Sequence, residues 1–276
     1  MRIDKRLDFD TSCKLIDDLT KSDKKYLITR AGTAEMLVSV LTLVNQPVPQ
    51  QGLNWFFVNA GFYGTMDFRR YATMYKSACD SCDLNAYWGF QGFIELEDFL
   101  IPENKTLIDP GALESFRSNN PWTKNLTGKK ILIISPLKKS IDSQLENKNN
   151  IWENSDVLPD ATYITYESVQ SIGGKGPHKD WYVSFDTMCD DISKIDFDVA
   201  LLGCGAYGLP LCDFIYHKLN KSSIYVGGGL QLYFGIKGKR WDTDSGVTKF
   251  YNENWIRPSK EEKPTNGDLV EGGCYW

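Results

Sequence analysis

The stretch that most constrains this chain runs from Asp198 to Gly208, Asp-Val-Ala-Leu-Leu-Gly-Cys-Gly-Ala-Tyr-Gly, and leads into Leu209-Pro210-Leu211-Cys212-Asp213-Phe214-Ile215-Tyr216-His217. A short apolar run ends in glycines, and a helical pattern with Pro near its start follows. This is the pattern of a buried parallel strand that turns sharply and delivers a helix N-terminus, whose unpaired N–H groups and positive dipole end suit a phosphate. Gly203, Gly205 and Gly208 fit G-x-G-x-x-G, a spacing that lets a backbone approach a pyrophosphate closely. The stretch is therefore expected to form a nucleotide-facing edge.

Other strand-like runs surround it. Tyr26 to Thr29 reads as a strand running into Arg30-Ala31-Gly32. Thr33 is placed to cap the next helix, which carries Glu35 in its first turn and is apolar nearly all round through Val44, so it is expected to lie deep in the fold. Gly128-Lys129-Lys130 precedes Ile131 to Ile134, a continuous run of the kind buried on both faces of a sheet. Ser135-Pro136 ends it, and Lys138 to Lys148 reads as a polar helix. Thr162 to Tyr166 reads as a further strand, Trp181 to Ile195 as a helix, and Ser223 to Val226 as a strand ending in Gly227-Gly228-Gly229. Strands alternating with helices imply an α/β fold, a mostly parallel sheet flanked by helices, with ligands beyond the carboxyl ends of the strands. Ser135 and the two glycine clusters share that edge.

The remaining segments carry less pattern. Phe9 to Leu19 suits an amphipathic helix and Asp67 to Leu84 another, while Phe99 to Asp109 reads as irregular connection. Residues 52–120 are rich in aromatics, among them Trp55, Phe56, Phe57, Phe62, Tyr63, Tyr87, Trp88, Phe90 and Phe93. Such density serves either a core or a platform on which sugar rings stack. Lys237, Lys239 and Arg240 follow the last glycines, as a solvated loop or as a clamp for a diphosphate in which Arg240 offers a bidentate fork. The tail from Pro258 to Gly267 reads as polar and extended, tied down at its aromatic ends, Trp255 and Tyr275-Trp276.

Composition narrows the function classes. The net charge of −5, with no long basic run, argues against a nucleic-acid partner. Met1 to Arg6 lacks the apolar core of a signal peptide, and no apolar stretch approaches the roughly 20 residues of a membrane span, so a cytoplasmic protein with reduced cysteines is expected. Cys79 and Cys82 form the only close cysteine pair. His178 and His217 are the only histidines, which leaves that pair without zinc partners at suitable spacing. A nicotinamide enzyme would carry an acidic residue near Val226 to Gly229, and none is there. A phosphate-loop G-x-x-x-x-G-K-[ST] is also absent.

The segments Arg30-Ala31-Gly32-Thr33-Ala34-Glu35, Ser135 to Ser140, Gly203 to Gly208 and Gly228 to Trp241 resemble proteins of bacterial surface-polysaccharide gene clusters, which are similar to glycosyltransferases of the D-type, Rossmann-like fold. The resemblance spans residues 26 to 276. It implies a single domain over 1–276, with an acceptor-side part at 26–127, a nucleotide-sugar-binding part at 128–240, and a tail at 241–276 packed on the domain. It further implies a nucleoside-diphosphate-sugar donor, UDP-linked, and a carbohydrate or lipid-linked glycan acceptor in capsule or O-antigen synthesis. Peripheral association with assembly machinery at the inner face of the membrane goes with that role.

In those enzymes an R-x-G-D-x-E motif supplies an acidic pair implicated in binding Mn or Mg and in catalysis. Arg30, Gly32 and Glu35 match it, whereas Thr33 stands where the motif has Asp, so the divalent-cation site lacks one carboxylate. Glu35 is left as a general base or as a partner of its own helix dipole. His178, in the loop Ile172 to Asp180, reads as a lid residue or as a lone surface histidine. The expected donor-binding set is Arg30, Gly32, Thr33, Ser135, Lys138, Gly203, Gly205, Tyr207, Gly228, Gly229, Lys237, Lys239 and Arg240. The catalytic candidates are Glu35 and His178. The competing expectation, supported by Thr33, is a non-catalytic nucleotide- or sugar-binding partner in a polysaccharide assembly complex.

Overall fold

The computed structural model describes residues 2–276. Its frame is one seven-stranded, all-parallel sheet in the order β3-β2-β1-β7-β6-β4-β5. Helix α1 (Phe9–Lys21) leads into β1 (Leu27–Arg30), which is followed by α2 (Thr33–Leu43), α3 (Gln50–Val58) and α4 (Arg69–Ser81). Next come β2 (Leu84–Ala86), α5 (Ile94–Leu100) and β3 (Thr106–Ile108), then β4 (Lys130–Ser135), α6 (Lys138–Glu146), β5 (Thr162–Glu167) and α7 (Trp181–Ile192). The last elements that position the site are β6 (Val199–Leu202), α8 (Gly208–His217), β7 (Ser222–Tyr225) and the short α9 (Leu230–Tyr233).

The continuous apolar runs are strands because both faces of the sheet are covered. Along β4, Ile131 and Ile133 enter one core cluster while Leu132 and Ile134 enter the other, and Val199/Leu201 and Ala200/Leu202 of β6 divide in the same way. Successive side chains of a strand point to opposite faces, so each run supplies two cores. One core holds α2, α3, α4, α7 and α8. The other holds α1, α6, α9 and the tail.

Several expectations need correction. The 99–109 segment is not all irregular connection: Phe99 and Leu100 end α5, and Thr106 to Ile108 form the edge strand β3. Leu84 does not end α4 but opens β2, because Cys82 already takes an extended conformation after the last helical turn. Residues 50–58 form a helix that the aromatic count hid. Thr33 is the first residue of α2 rather than its cap. Gly32 takes the cap position with extended φ and ψ, and no side chain bonds there. Helix α7 stops at Ile192, and the stretch from Pro258 to Gly267 is broken by a 3-10 turn at Lys260–Glu262, with a second, Gly267–Leu269, at its end.

β1 lies in the interior of the sheet, bonded to β2 on one side and β7 on the other. The 26–127 and 128–240 segments thus share one sheet. No helix among the described residues is long and apolar enough to cross a membrane.

Candidate functional site

A cavity of about 690 Å³ lies beyond the carboxyl ends of β1, β4, β6 and β7. That location follows from the connections. The chain leaves β1 and β6 toward one face and β4 and β7 toward the other, so a crevice opens between the diverging segments, as in other open parallel sheets. The C-terminal segment covers it with Glu271, Tyr275 and Trp276.

Arg30, Gly32, Thr33 and Glu35 line this cavity at the end of β1. The Arg30 guanidinium is held between the rings of Trp88 and Tyr225, 5.1 and 5.6 Å from their centroids, and Nη1 donates to the Val226 carbonyl at 3.3 Å. Its Nε is buried and has no protein partner, which leaves a donor for something else. Gly32 donates its N–H to the Tyr75 hydroxyl at 2.9 Å. Glu35, 8 % exposed, folds back over Gly32, where an added Cβ would stand 2.4 Å from its Oε2. Burial pushes its pKa above the ordinary carboxylate range, opposed by its own backbone N–H and by Arg30. A carboxylate with raised proton affinity at a cleft wall is equipped to take a proton.

The other strand ends contribute backbone. Gly203 and Gly205 line the cavity after β6, and Gly227 and Gly228 after β7. Gly227 has φ +74°, and an added Cβ would meet Arg30 Nη1 at 2.3 Å, so the close approach of the guanidinium requires glycine. Ser135 lines the cavity too, although its hydroxyl accepts from Leu137 N at 3.2 Å and serves the turn after β4. Arg240 reaches the cavity wall, where it pairs with Glu271 and lies 4.9 Å from the Tyr275 ring centroid.

The structure puts five of the expected residues elsewhere, and Gly229 behind the cavity wall, with Glu114 where its Cβ would be. Tyr207 is 1 % exposed and stacks on Trp181 at 4.7 Å, an inward packing role that its place inside a glycine motif concealed. Lys138 pairs with Asp142 on α6, Lys237 lies over the Tyr251 ring at 5.3 Å, and Lys239 donates to the Gly272 carbonyl at 3.2 Å. His178 Nδ1 is 2.8 Å from Ser184 Oγ, which also contacts the Tyr63 hydroxyl at 2.6 Å, outside the cavity lining. His217 contacts Ser81 Oγ at 2.8 Å on the protein surface.

No protein-family model, curated protein or solved structure matches this chain. The site therefore stands on its own chemistry. In the motif Thr33 offers a neutral hydroxyl where a second carboxylate would be, and Glu271 is already engaged by Arg240. This donor set does not fit a divalent cation that needs an acidic pair to hold it. Among the described residues no group of three or more His, Cys, Asp or Glu could hold a metal. Cys79 and Cys82 are buried free thiols, with Cys82 Sγ 3.2 Å from the Cys79 carbonyl.

The aromatics divide between the two expected uses. Phe56, Phe62 and Trp181 stack in the core, with centroids 4.7 and 5.2 Å apart, whereas Trp55, Trp88 and Phe90 line the cavity. The sequence marks Trp55, Trp88 and Phe90 only as part of a broad aromatic stretch with two expected uses, and it does not single out Gln231, Glu271, Tyr275 and Trp276 as site components. The available signal for the last two was the aromatic end of a polar tail. Gln231 Nε2 donates to the Tyr275 carbonyl at 3.2 Å and Arg240 N to the Cys274 carbonyl at 2.9 Å, which fastens the tail over the site.

Proposed function

We propose that the protein is a glycosyltransferase that moves a sugar from a nucleoside diphosphate, UDP in the first instance, to a carbohydrate acceptor. The observation that carries this reading is Glu35, a buried carboxylate of raised pKa at the wall of a cleft on the carboxyl edge of a parallel sheet, beside an arginine with an unpaired donor. In the reaction an acceptor hydroxyl attacks the anomeric carbon and the bond from that carbon to the diphosphate oxygen breaks. The hydroxyl proton passes to Glu35, and the diphosphate leaves with the bonding pair. Arg30 and Arg240 balance the charge that develops on it, and the turns at Gly203 and Gly227 allow backbone to approach it. No step calls for a metal.

The test is Glu35→Gln, which keeps the shape and removes the proton acceptor. Turnover of UDP-sugars is expected to fall by roughly 10²–10⁴ with UDP affinity little changed. Near-normal transfer by the Gln protein removes Glu35 from the mechanism. Tight UDP binding by the wild type without turnover of any donor favours the non-catalytic partner, the reading that Thr33 supports.

A further inference from the structure

We infer that the loop after β2 is the acceptor subsite, where a carbohydrate ring stacks on Phe90. This inference rests on the transferase reading and adds to it the side of the cleft from which the acceptor enters. The first observation is an aromatic pair with no core behind it. Trp88 and Phe90 stack with centroids 5.1 Å apart and planes at 15°, line the cavity, and belong to neither core cluster. Phe90 is 48 % exposed. The exposed half of the ring gains nothing from folding, whereas the C–H face of a sugar would cover it and meet the electron-rich face of the ring.

The second observation is that the loop is fixed in advance. Glu97, 1 % exposed, accepts the N–H of Trp88 on one carboxylate oxygen and that of Gly89 on the other, both at 2.9 Å. Arg6 donates to the Tyr87 and Trp88 carbonyls at 3.2 and 3.3 Å. Gly89 has φ +64°, a conformation that glycine adopts without strain, and it turns the chain between the two rings. A buried carboxylate spent on two consecutive backbone donors of an exposed loop rigidifies that loop, and a rigid platform loses less entropy when a ligand binds.

The third observation decides which ligand. Along the carboxyl edge the strand ends follow the order β2, β1, β7, β6. They present the aromatic pair, then Arg30 and Glu35, then Gly227 and Gly228, then Gly203 and Gly205. In the displacement the acceptor oxygen stands between the anomeric carbon and the base that takes its proton, and it approaches that carbon from the side opposite the departing diphosphate. With the donor diphosphate on the glycine side of Glu35, the acceptor falls on the aromatic side.

The experiment uses the full chain and a panel of methyl glycosides (glucoside, galactoside, mannoside and N-acetylglucosaminide), read by saturation-transfer NMR, with UDP binding followed in parallel by calorimetry. For the glycoside that the wild type binds, Phe90→Ala should weaken affinity roughly tenfold, Phe90→Trp should restore it, and UDP affinity should stay within about twofold. Unchanged glycoside affinity in Phe90→Ala overturns the inference, as does a wild type that binds no member of the panel. A fall in UDP affinity equal to the fall in glycoside affinity also overturns it, because the ring would then stack the donor base. Wild-type protein that binds glycosides through Phe90 but not UDP supports the sugar subsite while refuting the UDP donor.

Discussion

Two helices begin on the same edge of the sheet, and their N-termini are closed in opposite ways. Helix α8 follows the G-x-G-x-x-G of β6, and the Tyr225 ring fills the space above its first residue. A Cβ on Gly208 would stand 2.0 Å from that ring, and the tyrosine hydroxyl donates to the Gly205 carbonyl at 3.0 Å. Helix α2 follows β1 with a single glycine cap, and its first turn faces the cavity with Glu35 folded over it. The glycine motif thus serves packing at its third position and presents only its first two glycines to the cleft. A fingerprint fixes where a chain can turn tightly; the neighbouring strand decides what occupies the turn.

Matched substitutions test this contrast. Gly208→Ala drives a methyl into the buried Tyr225 ring, and unfolding in urea should give a loss of about 3 kcal/mol. Tyr225→Phe keeps the plug but removes the bond to Gly205, for an expected loss of about 1 kcal/mol in the same assay. Gly32→Ala displaces only the end of the Glu35 side chain, and its cost should be about 0.5 kcal/mol. Equal losses at Gly32 and Gly208 would break the comparison.

The finest distinction is in pH. Burial raises the folded-state pKa of Glu35 above its ordinary value of 4.5, so the folded protein holds this proton more tightly than the unfolded chain. The associated stability is complete below the unfolded pKa and is lost as pH rises through the folded one. Glu35→Gln escapes that loss. Its melting temperature should exceed that of the wild type at neutral pH, and the gap should shrink on acidification through the carboxylate range. A gap independent of pH would mean that Glu35 is solvated.

The central strands were legible because runs such as Ile131 to Ile134 and Val199 to Leu202 are long enough to show two-sided burial. β2 and β3 were not, since Leu84-Asn85-Ala86 and Thr106-Leu107-Ile108 are too short to display a period and become strands only by pairing with β1 and with each other. The cavity was legible where strand ends supply it, at Arg30, Gly203 and Gly227 to Gly228. Its Trp88–Phe90 wall and its Tyr275–Trp276 roof depend on contacts between distant segments. Tyr207 shows the converse, a residue whose local motif points to a ligand and whose tertiary neighbours claim it for the core.

The pairing of β1 with β7 sets an order of assembly. Arg30 reaches its carbonyl partner on Val226 across 196 residues of chain. At typical synthesis rates that interval takes on the order of tens of seconds, during which β1 has one open edge and no second neighbour. β7 is the last strand made and the one that joins β3-β2-β1 to β6-β4-β5, so the contact that orients the arginine of the cleft forms only when the two halves of the sheet become one.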